Sequence, residues 1–327
     1  MPILSTLAGM FGYGRGSGSL ALKATGGTES TYNGYKYHVF DSPGSFVAQS
    51  YSSDSTLEVL VIAAGGGGGT YYYCGGSGAG GLVHVTNYPA STLFSSSSTV
   101  SVTVAGQAAY DSNGGPSSFG GITTNGGGRG AGVYYTGQPG GSGGGGSLYY
   151  KANGSATQPG VSQSVGTGTL NFNRGFAGGT GPGWPSYPPS DGSPYGGAGG
   201  GGAGSVGGNY GSRAVCGDGG IGLVFPQFTS AANPLLPPDG GFAGGGGGGA
   251  YVNGNISSSY RGFGGYWPAP AVVSPNRYGA GDGAPSGSNH YGNTSGAART
   301  GSGAGGSDYP NATTGGSGIV VIRYIAP

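Results

Sequence analysis

The apolar run Leu57-Glu-Val-Leu-Val-Ile-Ala-Ala64 stops abruptly at five consecutive glycines, Gly65 to Gly69. A run rich in Val, Leu and Ile predicts a core strand, and the glycines predict that its far end opens into backbone that carries no side chains. The last thirteen residues reverse that order. Gly315-Gly-Ser-Gly-Ile-Val-Val-Ile-Arg-Tyr-Ile-Ala-Pro327 places glycines first and an apolar run second, as expected of a chain returning into the same sheet. The stretch between the two junctions then reads as an excursion.

Further strand patterns precede that excursion. Tyr32, Tyr35, Tyr37, Val39 and Phe40 form one run, Asp41-Ser-Pro-Gly44 has turn residues, and Ser45-Phe-Val-Ala48 resumes the strand, which predicts a hairpin. Gly80-Gly-Leu-Val-His-Val-Thr86 and Phe119-Gly-Gly-Ile-Thr-Thr124 predict two more strands. In Thr99-Val-Ser-Val-Thr-Val-Ala105, Val100, Val102 and Val104 alternate with Ser101 and Thr103. That period of two predicts one buried face and one wetter face. The expected fold is all-β, a sandwich of jelly-roll type with little or no α-helix.

Beyond Asn125 the pattern changes. Glycine tracts at 126–130, 143–146, 196–202 and 244–249 alternate with loops rich in Tyr, Pro, Asn and Ser, without helical period or capping signals. Ordering so much glycine is entropically expensive. Extended helices of three residues per turn, packed side by side and hydrogen-bonded to one another, would meet the need of every backbone N–H and C=O. Residues 1–25, with an apolar start and no regular period, read as an attachment arm or as a frayed terminus, and one glycine-rich β domain follows at 26–327. Its sandwich strands fall within 31–124 and 319–326, and its excursion is 125–318.

Composition supports ordered glycine. Glycine supplies 85 of 327 residues, against roughly 7% in ordinary proteins, yet segments such as Gly196-Gly-Ala-Gly-Gly-Gly-Gly-Ala-Gly204 break the strict period of collagen. The 24 Tyr and 11 Phe are too many for a solvated linker. Charge is sparse, with 11 basic and 10 acidic residues, which removes nucleic acid as an expected partner and favours life in an assembly. A homo-oligomer is expected. No run is long enough for a membrane span, and the N-terminus lacks the basic start of a signal peptide.

Chemical motifs are weak. Gly76-Ser-Gly-Ala-Gly-Gly81 fits a dinucleotide pattern but leads into Leu82-Val-His-Val, a strand and not the helix a pyrophosphate needs. Gly140-Gly-Ser-Gly-Gly144 fits the hydrolase elbow in the same compositional way. His38, His84 and His290 have no metal-ligand spacing, so neither cofactor nor metal is expected, and His38 and His84 are placed on strand faces. Cys74 and Cys216 read as a disulfide or, preferably, as two unrelated thiols. The candidate binding residues are loop aromatics: Tyr134, Tyr135, Trp184, Tyr187, Tyr195, Tyr266 and Trp267. Such rings suit stacking on sugars or contact with protein; the competing reading has them plugging and capping the glycine layers.

Together, the Leu57–Gly69 junction, Gly78-Ala-Gly-Gly-Leu-Val-His-Val85, Val100-Ser-Val-Thr-Val-Ala-Gly106 and Gly316-Ser-Gly-Ile-Val-Val-Ile-Arg-Tyr324 resemble the glycine-rich domains of bacteriophage tail-fibre and other virion proteins. The resemblance covers about residues 30 to 327. It implies a β-sandwich carrying layered polyglycine II helices with variable distal loops, in a non-enzymatic protein on the outer surface of a virion. Other virion proteins would hold the arm, and a host-surface glycan or protein would meet the aromatic loops. A capsid or tail decoration protein is the alternative, and a polysaccharide depolymerase is a third. Glycine-rich receptor ectodomains are cysteine-rich, and two cysteines depart from their pattern.

Overall fold

A computed structural model describes residues 21–69, 73–133, 135–149, 152–160, 162–182, 195–211, 215–251, 261–265, 279–284, 293–307 and 313–327. Its strands, in chain order, are β1 (Lys23–Thr25), β2 (Thr28–Tyr32), β3 (Tyr35–Phe40), β4 (Gly44–Ser50), β5 (Thr56–Ile62), β6 (Leu82–Pro89), β7 (Thr99–Thr103), β8 (Ser117–Phe119), β9 (Ile122–Thr124) and β10 (Thr169–Arg174). Four two-residue strands follow, β11 (Tyr195–Gly196), β12 (Leu223–Val224), β13 (Gly241–Phe242) and β14 (Ala250–Tyr251), and β15 (Ile319–Ile325) closes the order. Helix is limited, among the described residues, to α1 (Ala90–Leu93) and a 3-10 turn at Gln158–Gly160. The fold is all-β.

Two antiparallel sheets share a core. One has the order β1-β4-β7-β8-β9 and the other β10-β6-β5-β15-β3-β2. Phe46, Val102, Phe119 and Ile122 from the first meet Val59, Val61, Val83, Val85, Val320 and Ile322 from the second. The six-stranded sheet is buried on its other face too. There Leu60, Ile62, Leu82, Ile319 and Val321 lie under Phe225, Phe228, Leu236 and Phe242. Burial on both faces explains why β5 and β15 read as almost unbroken apolar runs. The two junction strands are direct neighbours, with Ile319 opposite Ile62 and Val321 opposite Leu60.

Three local expectations change. The run ending at Phe40 and the run beginning at Ser45 do not form a hairpin: β3 and β4 belong to different sheets, and Asp41–Pro43 carries the chain across the sandwich. The hairpin is β2–β3, turned by Asn33 and Gly34 at φ 47 and 77. Positive φ at both central residues is what a tight two-residue hairpin needs. Leu22 and Ala24, assigned to the arm, are core residues. β10, from inside the supposed excursion, forms an edge of the six-stranded sheet.

The glycine tracts stack beyond the Ile62/Ile319 end of that sheet. The tract 74–81 is their centre. Its consecutive N–H groups donate in strict rotation to three neighbours. Gly75, Gly78 and Gly81 bond to Ala131, Gly128 and Asn125; Gly76 and Ala79 to Ala198 and Gly201; Ser77 and Gly80 to Ala304 and Gly301. Its carbonyls accept from three others, with Gly66 bonding Gly78, Gly145 bonding Gly76, and Gly246 bonding Ser77. Six neighbours and a period of three residues are the bonding pattern of packed polyglycine II helices. The same period appears in exposure: in the outer tract Val215, Asp218 and Val224 are exposed and Ile221 half-buried, three residues apart.

Glycine is required here by proximity. A Cβ on Gly76 would overlap the Gly246 carbonyl oxygen, one on Gly200 the Ser77 oxygen, and one on Gly246 the Ala304 oxygen. None of these three glycines has positive φ.

Candidate functional site

The molecule has two unlike ends. At the sandwich end, Ser50 Oγ donates to the Ala21 carbonyl and Ala326 N–H donates to the Gly34 carbonyl. At the far end of the glycine stack, Ser307 Oγ donates to the Gly69 carbonyl and Tyr195 pairs with Tyr251. With about 3.1 Å of rise per residue in a tract, Gly69 stands roughly 20 Å beyond Ile62.

Aromatic residues at the far end divide into inward and outward rings. Tyr73, Leu148 and Tyr195 form a small buried cluster with Tyr149 against it, and the Tyr73 and Tyr149 rings meet edge to face at 6.1 Å. Tyr195 was expected among the exposed binding rings and is instead 3% exposed. The two-residue pairing of β11 with β14 holds it there, so it plugs the stack. Tyr135 is 50% exposed. Tyr134, Trp184, Tyr187, Tyr266 and Trp267 lie outside the described residues.

Beside Tyr135 stands a polar group that no sequence motif marks. Tyr110 is 54% exposed, and Asp111 next to it forms an ion pair with Arg129. The Arg129 guanidinium lies over the Tyr135 ring, 4.7 Å from its centroid. Asn113 Oδ1 accepts the Arg129 backbone N–H at 2.9 Å, and Asn113 Nδ2 donates to the Pro139 carbonyl. The segments that carry Tyr110 and Tyr135 bond to the same tract. Asp111 N–H bonds to Gly68 and Gly130 N–H to Gly67, adjacent residues of one tract.

A second polar cluster lies at the other end of the six-stranded sheet. Glu58 accepts from His84 Nε2 at 2.8 Å, from Gln227 Nε2 at 2.8 Å and from the Arg323 guanidinium at 2.7 and 2.6 Å. Arg323 also donates to the Tyr37 hydroxyl, which donates to the Gln227 carbonyl, and lies over the Tyr35 ring at 4.3 Å. Burial opposes ionisation of Glu58, but the bonds from His84 and Gln227 and the charge of Arg323 outweigh it, and its carboxyl is held below the usual glutamate range. Each group in the cluster is engaged by the others. It fastens the 225–236 cover to β5, β6 and β15.

A family model described as a glycine-rich domain matches residues 41–325. The chain belongs to that family. No curated protein matched it. The matched span takes in β4 through β15 and every glycine tract of the stack.

Within this glycine-rich domain the suggestive motifs are structural. All N–H groups from Gly75 to Gly81 donate to neighbouring backbone, so the dinucleotide-like Gly76–Gly81 has no amide to offer a phosphate. Ser142 of the elbow-like motif is fully buried and its hydroxyl donates to the Gly202 carbonyl. His38 is buried on β3. Its Nδ1–H donates to the Gly26 carbonyl, its Nε2 accepts from the Tyr324 hydroxyl, and that hydroxyl accepts the Ala24 N–H. Burial pushes the His38 pKa below the usual histidine value. Cys74 and Cys216 are buried in tracts that share no backbone hydrogen bond among the described residues. Burial pushes the Cys216 thiol up to about 12.

Proposed function

We propose that this protein is a non-enzymatic structural component of a bacteriophage virion, a tail-fibre or fibre-tip protein that presents the far end of its glycine stack to a host surface. The observation that carries the reading is polarity. Ala21 and Ala326 sit at the sandwich end, and the half-exposed rings of Tyr110 and Tyr135 sit near the other. Between them runs a hydrogen-bonded spacer of glycine tracts. A protein attached by the segment preceding Ala21 to other virion proteins would thus hold its aromatic turns outward. The strand-to-glycine junctions that resemble virion proteins support the same setting.

The inward Tyr73, Tyr149 and Tyr195 favour a second reading, a decoration protein whose aromatics only seal the stack. Incubating the labelled full-length protein with envelopes from a panel of bacteria separates the two. Saturable retention by a subset of envelopes is expected for the fibre component. Retention by none leaves the decoration reading, and release of reducing sugar from an envelope polysaccharide would overturn both in favour of an enzyme.

A further inference from the structure

We propose that Tyr110, Asp111, Asn113, Arg129 and Tyr135 form a binding site for the pyranose ring of a neutral sugar; this deepens the display reading above, on which it rests for its biological setting. The two rings are each about half exposed, on segments hydrogen-bonded at Asp111 and Gly130 to adjacent residues of one tract, Gly68 and Gly67. Rings held on a fixed scaffold offer flat apolar surface with little conformational entropy left to lose on binding.

The polar groups beside Tyr135 are set in place before any ligand arrives. Arg129 is held at its backbone by Asn113 and at its guanidinium by Asp111, and it lies over the Tyr135 ring. Its side chain is 15% exposed and that of Asp111 31%, so both present an edge to solvent. Asp111 adopts φ 52, a left-handed turn conformation that aspartate takes more readily than most residues.

Sugar chemistry matches this arrangement. A pyranose has an apolar C–H face, suited to a tyrosine ring, and an edge of hydroxyls that both donate and accept. A carboxylate only accepts and a guanidinium only donates, so vicinal hydroxyls can satisfy Asp111 and Arg129 together. Charge balance makes the ligand neutral. Asp111 already offsets Arg129, and a sugar bearing carboxylate or phosphate would meet Asp111 as a like charge.

The test is binding of the full-length protein to an array of neutral and acidic oligosaccharides, repeated with Tyr110→Ala and Tyr135→Ala. Both variants remove exposed rings, and unchanged thermal unfolding checks that the stack is intact. Neutral oligosaccharides are expected to bind, and each variant to weaken them roughly three- to tenfold. Binding to acidic sugars alone, binding to no sugar, or neutral binding indifferent to both variants overturns the proposal. The envelope assay keeps this result distinct from the display reading. Envelope retention that survives both substitutions removes this site and leaves display standing, whereas neutral-sugar binding lost in Tyr135→Ala, with no envelope retained, supports the site and removes display.

Discussion

Ser77 and Ala304, 227 residues apart in sequence, bond to each other through both backbone and side chain. Ser77 N–H donates to the Ala304 carbonyl at 3.0 Å, and Ala304 N–H donates to Ser77 Oγ at 2.6 Å. The hydroxyl proton then goes to the Gly66 carbonyl at 2.6 Å. One serine thus ties the tracts 63–69, 74–81 and 301–307 together. Ser77→Ala removes both side-chain bonds and leaves Ala304 N–H only its longer contact with Gly66, 3.3 Å. A loss of about 1–2 kcal/mol is expected, read as a lower denaturant midpoint at unchanged slope.

The glycines of the stack are not equivalent. Gly246→Ala drives a methyl into the Ala304 carbonyl and should cost about 3 kcal/mol or more, because the obstruction is backbone and cannot rotate away. Nothing lies within 4 Å of a Cβ built on Gly106, and its φ is not in the left-handed region. Gly106→Ala should stabilise by about 0.4–1 kcal/mol through the unfolded chain. Thermal melts of the two variants in parallel check the contrast; equal losses would show that glycine acts here through flexibility and not through proximity.

A buried histidine and a partly buried glutamate contribute to the response to acid. His38 has a folded pKa below its unfolded value of about 6.5. The unfolded chain therefore binds the proton first, and stability falls as pH drops below about 6.5, levelling once the folded pKa is passed. Glu58 is also depressed, so the stability it contributes is present above about 4.3 and is lost as pH falls through its lower folded value. Urea midpoints between pH 8 and pH 3 should show both declines. His38→Gln should flatten the upper one and leave the lower one in place.

Cys216 should be chemically silent in the folded protein. Its thiol is buried, pushed up to about 12, and directed at the backbone of Gly196. The thiolate is the reactive form. Iodoacetamide at pH 8 is expected to leave Cys216 unmodified for as long as the fold persists and to label it fully in guanidinium chloride. Rapid labelling of the native protein would contradict the packing of the 215–222 tract.

The sandwich was legible where burial writes a simple pattern. β5 and β15 are apolar on both faces, and their shared boundary with glycine foretold their pairing. The corner at Asp41–Pro43 misled because turn residues mark a change of direction and do not say which sheet the chain joins next. Asn33-Gly34 was the stronger hairpin signal and stood in plain view. β10 was hidden because Thr169–Arg174 is a mostly exposed edge strand with little apolar period to detect. In the stack, Val215, Asp218, Ile221 and Val224 repeat at the spacing of a three-residue helix with one outward side; that period can be read from sequence alone. The candidate site was harder. Tyr135 and Tyr195 look alike in sequence, and only the pairing of β11 with β14 turns Tyr195 inward. Asp111 meets Arg129, which covers the Tyr135 ring, through the register of separate segments, which composition does not encode.

The central tract 74–81 is bordered by segments drawn from residues 63 to 304, and all but one follow it in sequence. Its amides cannot be satisfied as it is synthesised, since the acceptors for Ser77 and Gly80 are Ala304 and Gly301. A chain growing from its N-terminus must therefore carry its future centre only partly paired until residue 304 has been made. Assembly of the stack waits for the synthesis of the 301–304 segment, and its rate should be slow, limited by closing a loop of 227 residues between Ser77 and Ala304.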